Sequence, residues 1–197
     1  MRTVILGLGA IGSRVAVELA RIYQTLDINM TIGVVDCDRV ESKNIINQFY
    51  MMRHIGAKKT SAIIDIAGNV APTILVSGFD HYINEANVAR VLRHADLVVD
   101  CFDNSLSRNL VASECLLSET PCLHVGMSVG YGGIRWNTPA YMVSDDDGVI
   151  DTCTSDLNPG LAQFIAAATV SVVMHYLETQ ERTNLTVGIE NFSVIAS

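Results

Sequence analysis

The chain has no Cys-x-x-Cys pair. Its five cysteines, Cys37, Cys101, Cys115, Cys122 and Cys153, are scattered and odd in number, which excludes a closed disulfide framework and a four-thiolate zinc site. A reducing cytoplasm is the expected compartment. Positive charge is scarce as well: 13 Lys and Arg stand against 21 Asp and Glu, for a formal net charge of −8. No basic run could track a phosphate backbone, so neither nucleic acid nor an anionic membrane is an expected partner. Long apolar runs are missing too. The longest, residues 161–177, contains Gln163, Ser171 and His175 and falls short of the roughly 20 residues of a spanning helix; it reads as a buried helix. The apolar opening meets Arg14 and continues into an amphipathic pattern, which is not how a secretory leader is built. Repeats, low-complexity tracts and long linkers are absent. With 49% hydrophobic residues in a length of 197, one core is affordable and residues 1–197 read as a single domain.

Short β-branched runs alternate with helical patterns over the first two thirds. Strands are expected at residues 3–6, 31–35, 74–77, 97–100 and 122–125. Between them Ile11, Val15, Leu19 and Ile22 share one helical face, and residues 59–68, 84–94 and 105–117 also read as helices. Such alternation predicts an α/β fold: a Rossmann-like, mostly parallel sheet with helices on both faces. After Met127 the texture changes to Gly130, Gly132 and Gly133, then Ile134, Trp136, Tyr141 and Val143, which predicts an added antiparallel hairpin. The Asp145–Gly148 cluster ends it as an exposed loop. Residues 152–160, small and polar, form a second loop, and residues 186–195 alternate loosely as a last strand.

Two features carry chemistry on their own. Gly7, Gly9 and Gly12 follow the first strand and open the first helix, the setting in which backbone amides approach a phosphate; a plain tight turn is the structural alternative. Asp36 ends the next strand, where a carboxylate accepts from ribose hydroxyls, and its alternative is a surface carboxylate at a strand end.

Three further blocks follow in order: Asp36-Cys-Asp38-Arg-Val-Glu41-Ser-Lys-Asn44-Ile-Ile-Asn47-Gln48, Gly56-Ala-Lys-Lys59, and Asp100-Cys-Phe-Asp103-Asn104. Together with the glycine loop they resemble the ThiF/MoeB/HesA superfamily, ATP-dependent adenylating enzymes that include the catalytic domain of ubiquitin-activating enzymes. The resemblance covers about residues 2–177. It implies that Gly7, Gly9 and Gly12 cradle the phosphates of ATP, Asp36 holds the ribose, Asn44 lies near the phosphates and Lys59 reaches them. Asp103 would coordinate the magnesium ion, a hard cation suited to oxygen ligands. For Lys59 the alternative is a solvated cation at a helix start, and for Asp103 a helix N-cap, which Asn104 could also provide.

The implied reaction adenylates the C-terminal glycine of a small ubiquitin-like or sulfur-carrier protein ending in Gly-Gly, and family relatives usually act as homodimers. Glycines 126–133 would border the channel for the carrier's tail, or simply shape the hairpin. Cys153 falls in the loop where several relatives place a transfer cysteine, although Asp151 and Asp156 disfavour a thiolate there. The other cysteines read as small hydrophobes. The chain also departs from the family. Asn47 stands where an arginine normally meets the triphosphate, leaving Arg53 as a candidate substitute. With the first strand at the start of the sequence, no arm carrying an arginine into a neighbour's site is expected, and Arg14 is not assigned that job; structural zinc is not expected either. These departures keep open a degenerate binding module without efficient adenylation. An NAD-binding oxidoreductase is the rival of another class, disfavoured by the lack of a second domain.

Overall fold

The β-branched runs become parallel strands of one sheet in the computed structural model, which describes residues 1–26, 29–143, 159–189 and 193–196. Five parallel strands, β1 (Arg2–Leu6), β2 (Thr31–Val35), β3 (Leu75–Phe79), β4 (Leu97–Asp100) and β5 (Cys122–Met127), are joined by helical crossovers. β6 (Tyr131–Trp136), β7 (Leu185–Gly188) and β8 (Ser193–Ala196) extend the sheet antiparallel, in the order β3-β2-β1-β4-β5-β6-β7-β8. The fold is Rossmann-like α/β, as the alternation predicts.

Both faces of the inner parallel strands are covered, so Val4–Leu6 of β1 form a continuous apolar run rather than alternating. Its Ile5 joins Val15 and Leu19 of α1 (Gly12–Tyr23), Ile63 of α3 (Lys59–Val70) and Ile165 and Val173 of α6 (Pro159–Thr179). Val4 and Leu6 instead join Val88 and Val91 of α4 (Val88–Leu92) and Val111 and Cys115 of α5 (Ser105–Leu117). A buried tyrosine is tolerable in the first layer because Tyr23 Oη and Thr3 Oγ1 share a 2.9 Å hydrogen bond. Chain direction across the sheet reverses between β1 and β4, and that is where an open α/β sheet forms its crevice.

Several boundaries differ from the sequence reading. The helix expected at residues 84–94 shrinks to α4, because Asn84 and Asn87 bond neighbouring backbone through their side chains: Asn87 Oδ1 accepts from Asn84 N, and Asn84 Oδ1 from Ala86 N. The hairpin forms between β5 and β6, with Gly130 at φ +76° in its turn, and leaves Tyr141 and Val143 outside the strands. The last strand is two, β7 and β8. At 21 residues α6 is long and apolar enough to cross a membrane by length and composition, yet half of its apolar window is buried against the rest of the chain. Cys115 and Cys122 are buried as expected, but Cys37 is exposed, since the chain leaves the sheet at Asp36. The acidic cluster at Asp145 and most of the loop at residues 152–160 lie outside the described residues.

Candidate functional site

The glycine loop sits at the carboxyl ends of β1 and β4. Gly7 has φ +77°, and a Cβ there would come within 2.8 Å of the Cys101 carbonyl oxygen; only glycine accepts that dihedral next to a neighbouring strand end. A Cβ at Gly12 would stand 1.9 Å from the Gly7 carbonyl oxygen, whereas one at Gly9 would meet nothing within 4 Å. Two glycines are therefore required by the protein itself, and the third leaves open space.

Asp36 is buried at the end of β2 and fixes this loop. Its Oδ2 accepts from Leu8 N at 2.7 Å and its Oδ1 from Asp38 N at 2.8 Å. Each oxygen keeps a lone pair to offer a hydroxyl. Burial pushes the Asp36 carboxyl up, and the charge of Lys59 opposes that rise. Lys59, the first residue of α3, is 6% exposed, which removes the solvated-cation alternative. Its Nζ donates to Asp38 Oδ2 at 2.9 Å and lies 3.8 Å from Asp36 Oδ2. Burial raises the Asp38 carboxyl, but the hydrogen bond and charge of Lys59 outweigh it and hold the group below its usual range. Asp36, Cys37 and Asp38 bring ligand atoms within 4.8 Å of one another, and the Lys59 ammonium already supplies positive charge there. Partial burial and the carboxylates of Asp38 and Asp36 push the Cys37 thiol up, which disfavours its thiolate.

The segment that carries Asn44 and Asn47, α2 (Asn44–Asn47), is fastened over the loop by residues the sequence did not single out. Tyr50 Oη donates to Leu8 O at 2.7 Å. Ser13 Oγ donates to Gly9 O at 2.6 Å and accepts from Phe49 N at 3.0 Å. Arg14 Nη1 donates to Ala10 O at 2.5 Å and Asn47 O at 2.6 Å. Position just after Gly12 was a signal for Ser13 and Arg14; a buried tyrosine gives none. Asn44 and Asn47 are both buried, and Asn44 Oδ1 accepts from Glu41 N at 2.8 Å. Arg53 does not substitute at Asn47: it points at α3, 3.0 Å from Asp65 Oδ2. Lys58 faces Asp80, 3.9 Å away.

Asp103 is exposed in the turn after β4. Asn104, not Asp103, caps α5, its Oδ1 accepting from Ser107 N at 2.9 Å, so the Asp103 carboxylate is not consumed by capping. Three residues earlier, Asp100 is fully buried and accepts from His124 Nδ1 at 2.7 Å and Phe102 N at 3.0 Å. His124 stacks on Tyr141 with ring centroids 4.1 Å apart. Arg108 ties this region together by donating to Phe102 O, Val125 O and Tyr141 Oη. The Asp103 turn thus rests on a satisfied buried network. Among the hairpin glycines, Gly130 serves the turn, and a Cβ at Gly132 would strike Ile165 Cδ1 at 2.3 Å. Cys153 lies outside the described residues.

A family model described as the ThiF family matches residues 1–192. The chain is 28% identical over 130 residues to adenylyltransferase and sulfurtransferase MOCS3-1 of Zea mays, across 66% of this chain and 26% of that protein. It is 29% identical over 120 residues to adenylyltransferase and sulfurtransferase uba4 of Pyricularia oryzae, across 60% of this chain and 24% of that one. The matches span about a quarter of the length of those relatives. Among solved structures, E. coli MccB with ATP aligns over 100% of this chain and 63% of its own, at TM-score 0.77 and 20% identity. E. coli tRNA N6-threonylcarbamoyladenosine dehydratase, TcdA, in complex with ATP aligns over 68% and 56%, at TM-score 0.61 and 22% identity. Likeness at these identities speaks for the fold.

Proposed function

The chain belongs to the ThiF family, and from that premise we propose that it is an ATP-dependent adenylyltransferase acting on the C-terminal glycine of a small ubiquitin-like or sulfur-carrier protein ending in Gly-Gly. The observation that carries this reading is the buried Asp36–Lys59 pair, joined to the exposed Asp38, set against a glycine loop whose middle glycine faces open space. A ribose acceptor, a cation and free backbone amides stand together there, as a nucleoside phosphate requires.

In the proposed mechanism Asp36 accepts from the ribose hydroxyls while the amides after Leu8, whose own N–H is held by Asp36, face the phosphates. Lys59 turns its ammonium toward them, releasing Asp38, whose side chain is 61% exposed and readily hydrated. Asp103 fits magnesium as one exposed carboxylate, since that ion keeps several waters and needs few protein ligands. Bound there, magnesium would neutralise charge on the triphosphate. The carrier carboxylate attacks the α-phosphorus, the bond to the bridging oxygen breaks, and pyrophosphate leaves. No protein nucleophile enters this step; the residues position and neutralise. Onward transfer through Cys153 is a further part of the proposal, as are action within one domain over residues 1–197, a cytoplasmic setting and a twofold homodimer.

Calorimetry with Mg–ATP and with NAD, followed by pyrophosphate exchange with a Gly-Gly carrier, tests the reading. Mg–ATP should bind, NAD should not, and exchange should depend on the carrier's last glycine. NAD binding without ATP binding would overturn it in favour of an oxidoreductase. ATP binding without exchange would favour the degenerate binding module, to which Asn47 in the arginine's place points.

A further inference from the structure

Arg14 lies beside the glycine loop with its charge uncompensated among the described residues. The side chain is half-buried, and its Nη1 is held between two main-chain carbonyls, Ala10 O at 2.5 Å and Asn47 O at 2.6 Å. Among the described residues no carboxylate pairs with it, and Nε and Nη2 have no acceptor. Burial lowers its pKa from the ordinary arginine value, yet a guanidinium stays charged in a protein, so the cost of desolvation falls on the charged form. A half-buried cation with donors to spare and no counter-ion among the described residues fits an anion. The other cations nearby are committed elsewhere: Arg53 to Asp65 at 3.0 Å, Lys58 toward Asp80 at 3.9 Å, and Lys59 to Asp38 at 2.9 Å.

We propose that Arg14 is a phosphate-contacting residue that supplies, from α1 of the same chain, the guanidinium whose family position is occupied here by Asn47. The inference rests on the ATP-binding reading above and names which part of the ligand Arg14 meets. Asp36 fixes the ribose at the end of β2, so the phosphates run over the glycine loop toward α1 and α2. The outer phosphates of a nucleoside triphosphate therefore come nearest Arg14. The Asn47 carbonyl aims the guanidinium, and the freed Nε and Nη2 donors meet the phosphate oxygens with a forked geometry that an ammonium lacks. A purely structural Arg14, one that only clamps α2 onto the loop, would act on every nucleotide alike.

Calorimetry with Mg–ATP and with AMP on the wild type, Arg14→Gln, Arg14→Lys and the double variant Arg14→Gln/Asn47→Arg separates these roles. Glutamine keeps an N–H donor for a carbonyl but removes the charge. Arg14→Gln should weaken Mg–ATP binding by about tenfold or more, roughly 1.4 kcal/mol, while leaving AMP binding within about twofold. Arg14→Lys should recover only part of the loss, and the double variant most of it. Equal losses for AMP and Mg–ATP, unchanged Mg–ATP affinity in Arg14→Gln, or no recovery in the double variant would overturn the inference and leave the adenylation reading standing. A wild type that binds no Mg–ATP would remove that reading, and this inference with it.

Discussion

A methyl group at Gly12 would stand 1.9 Å from the Gly7 carbonyl oxygen, while the same group at Gly9 would touch nothing within 4 Å. The two alanine variants should therefore part company. Gly12→Ala must push α1 away from the loop and should cost about 3 kcal/mol or more in urea denaturation; Gly9→Ala should stay within about 0.5 kcal/mol of the wild type. Only Gly9→Ala then reports on ligand approach, and it should weaken Mg–ATP binding while the fold persists. Unchanged nucleotide affinity in Gly9→Ala would place the phosphates elsewhere. At this scale the sequence showed the motif but could not rank its glycines, because the ranking depends on the folded loop: Cys101, distant in sequence, crowds Gly7, and the loop's own turn brings the Gly7 carbonyl against Gly12. The same holds for Lys59. The family resemblance of the block from Gly56 to Lys59 nominated it, but its burial and its 2.9 Å bond to Asp38 come from the meeting of the β2 end with α3.

Helix α6 docks on β6 where Gly132 leaves no side chain in the way: a Cβ there would come 2.3 Å from Ile165 Cδ1 and 3.1 Å from the Gly126 carbonyl oxygen. Ile165 is fully buried, so it has little freedom to retreat. Gly132→Ala should destabilise the protein by about 1–3 kcal/mol through overpacking. Ile165→Val in the same background should recover part of that loss, because it removes the clashing methyl carbon. A double-mutant cycle in urea measures the coupling, and strict additivity would show that α6 and β6 are not in register here. For these glycines the structure favours hairpin shape and helix docking as their cause. The elements themselves follow local periodicity, but α4 was read too long, because asparagine side chains that bond their own backbone look harmless in a hydrophobic pattern.

At the scale of the whole molecule, apolar side chains are left uncovered along residues 46–55, from α2 onward: Ile46 is 75% exposed and Met52 70%, with Phe49, Met51 and Ile55 also exposed, while others such as Leu117 and Met142 are exposed elsewhere. Scattered singly such residues need no explanation, but a run of five within ten positions of sequence is where an interaction surface would form, and the proposed twofold dimer would cover it with a second copy of itself. Sedimentation velocity should show a dimer for the wild type and a shift toward monomer for Ile46→Glu/Met52→Glu. A wild type that sediments as a monomer at every concentration removes the dimer from the proposal.

Strand and helix periodicity, the glycine loop, Asp36, Lys59 and the Asp-Asn pair at residues 103 and 104 were all legible in the chain alone. They are local patterns, each set by the repeat of its own element or by a short motif. Other facts depended on which distant segments meet. The sequence left Asp103 and Asn104 both eligible to cap α5, and the hydrogen bond from Ser107 N chose Asn104. Arg53 and Arg14 were both cations near an absent arginine, and only packing turned Arg53 to Asp65 while setting Arg14 against the Asn47 carbonyl. Tyr50 gave no signal, because its hydroxyl reaches the Leu8 carbonyl across 42 positions of sequence. Periodicity reports what a residue's own helix or strand requires; the direction of a charged or hydroxyl-bearing side chain is decided by the partners that the finished sheet brings within hydrogen-bonding reach.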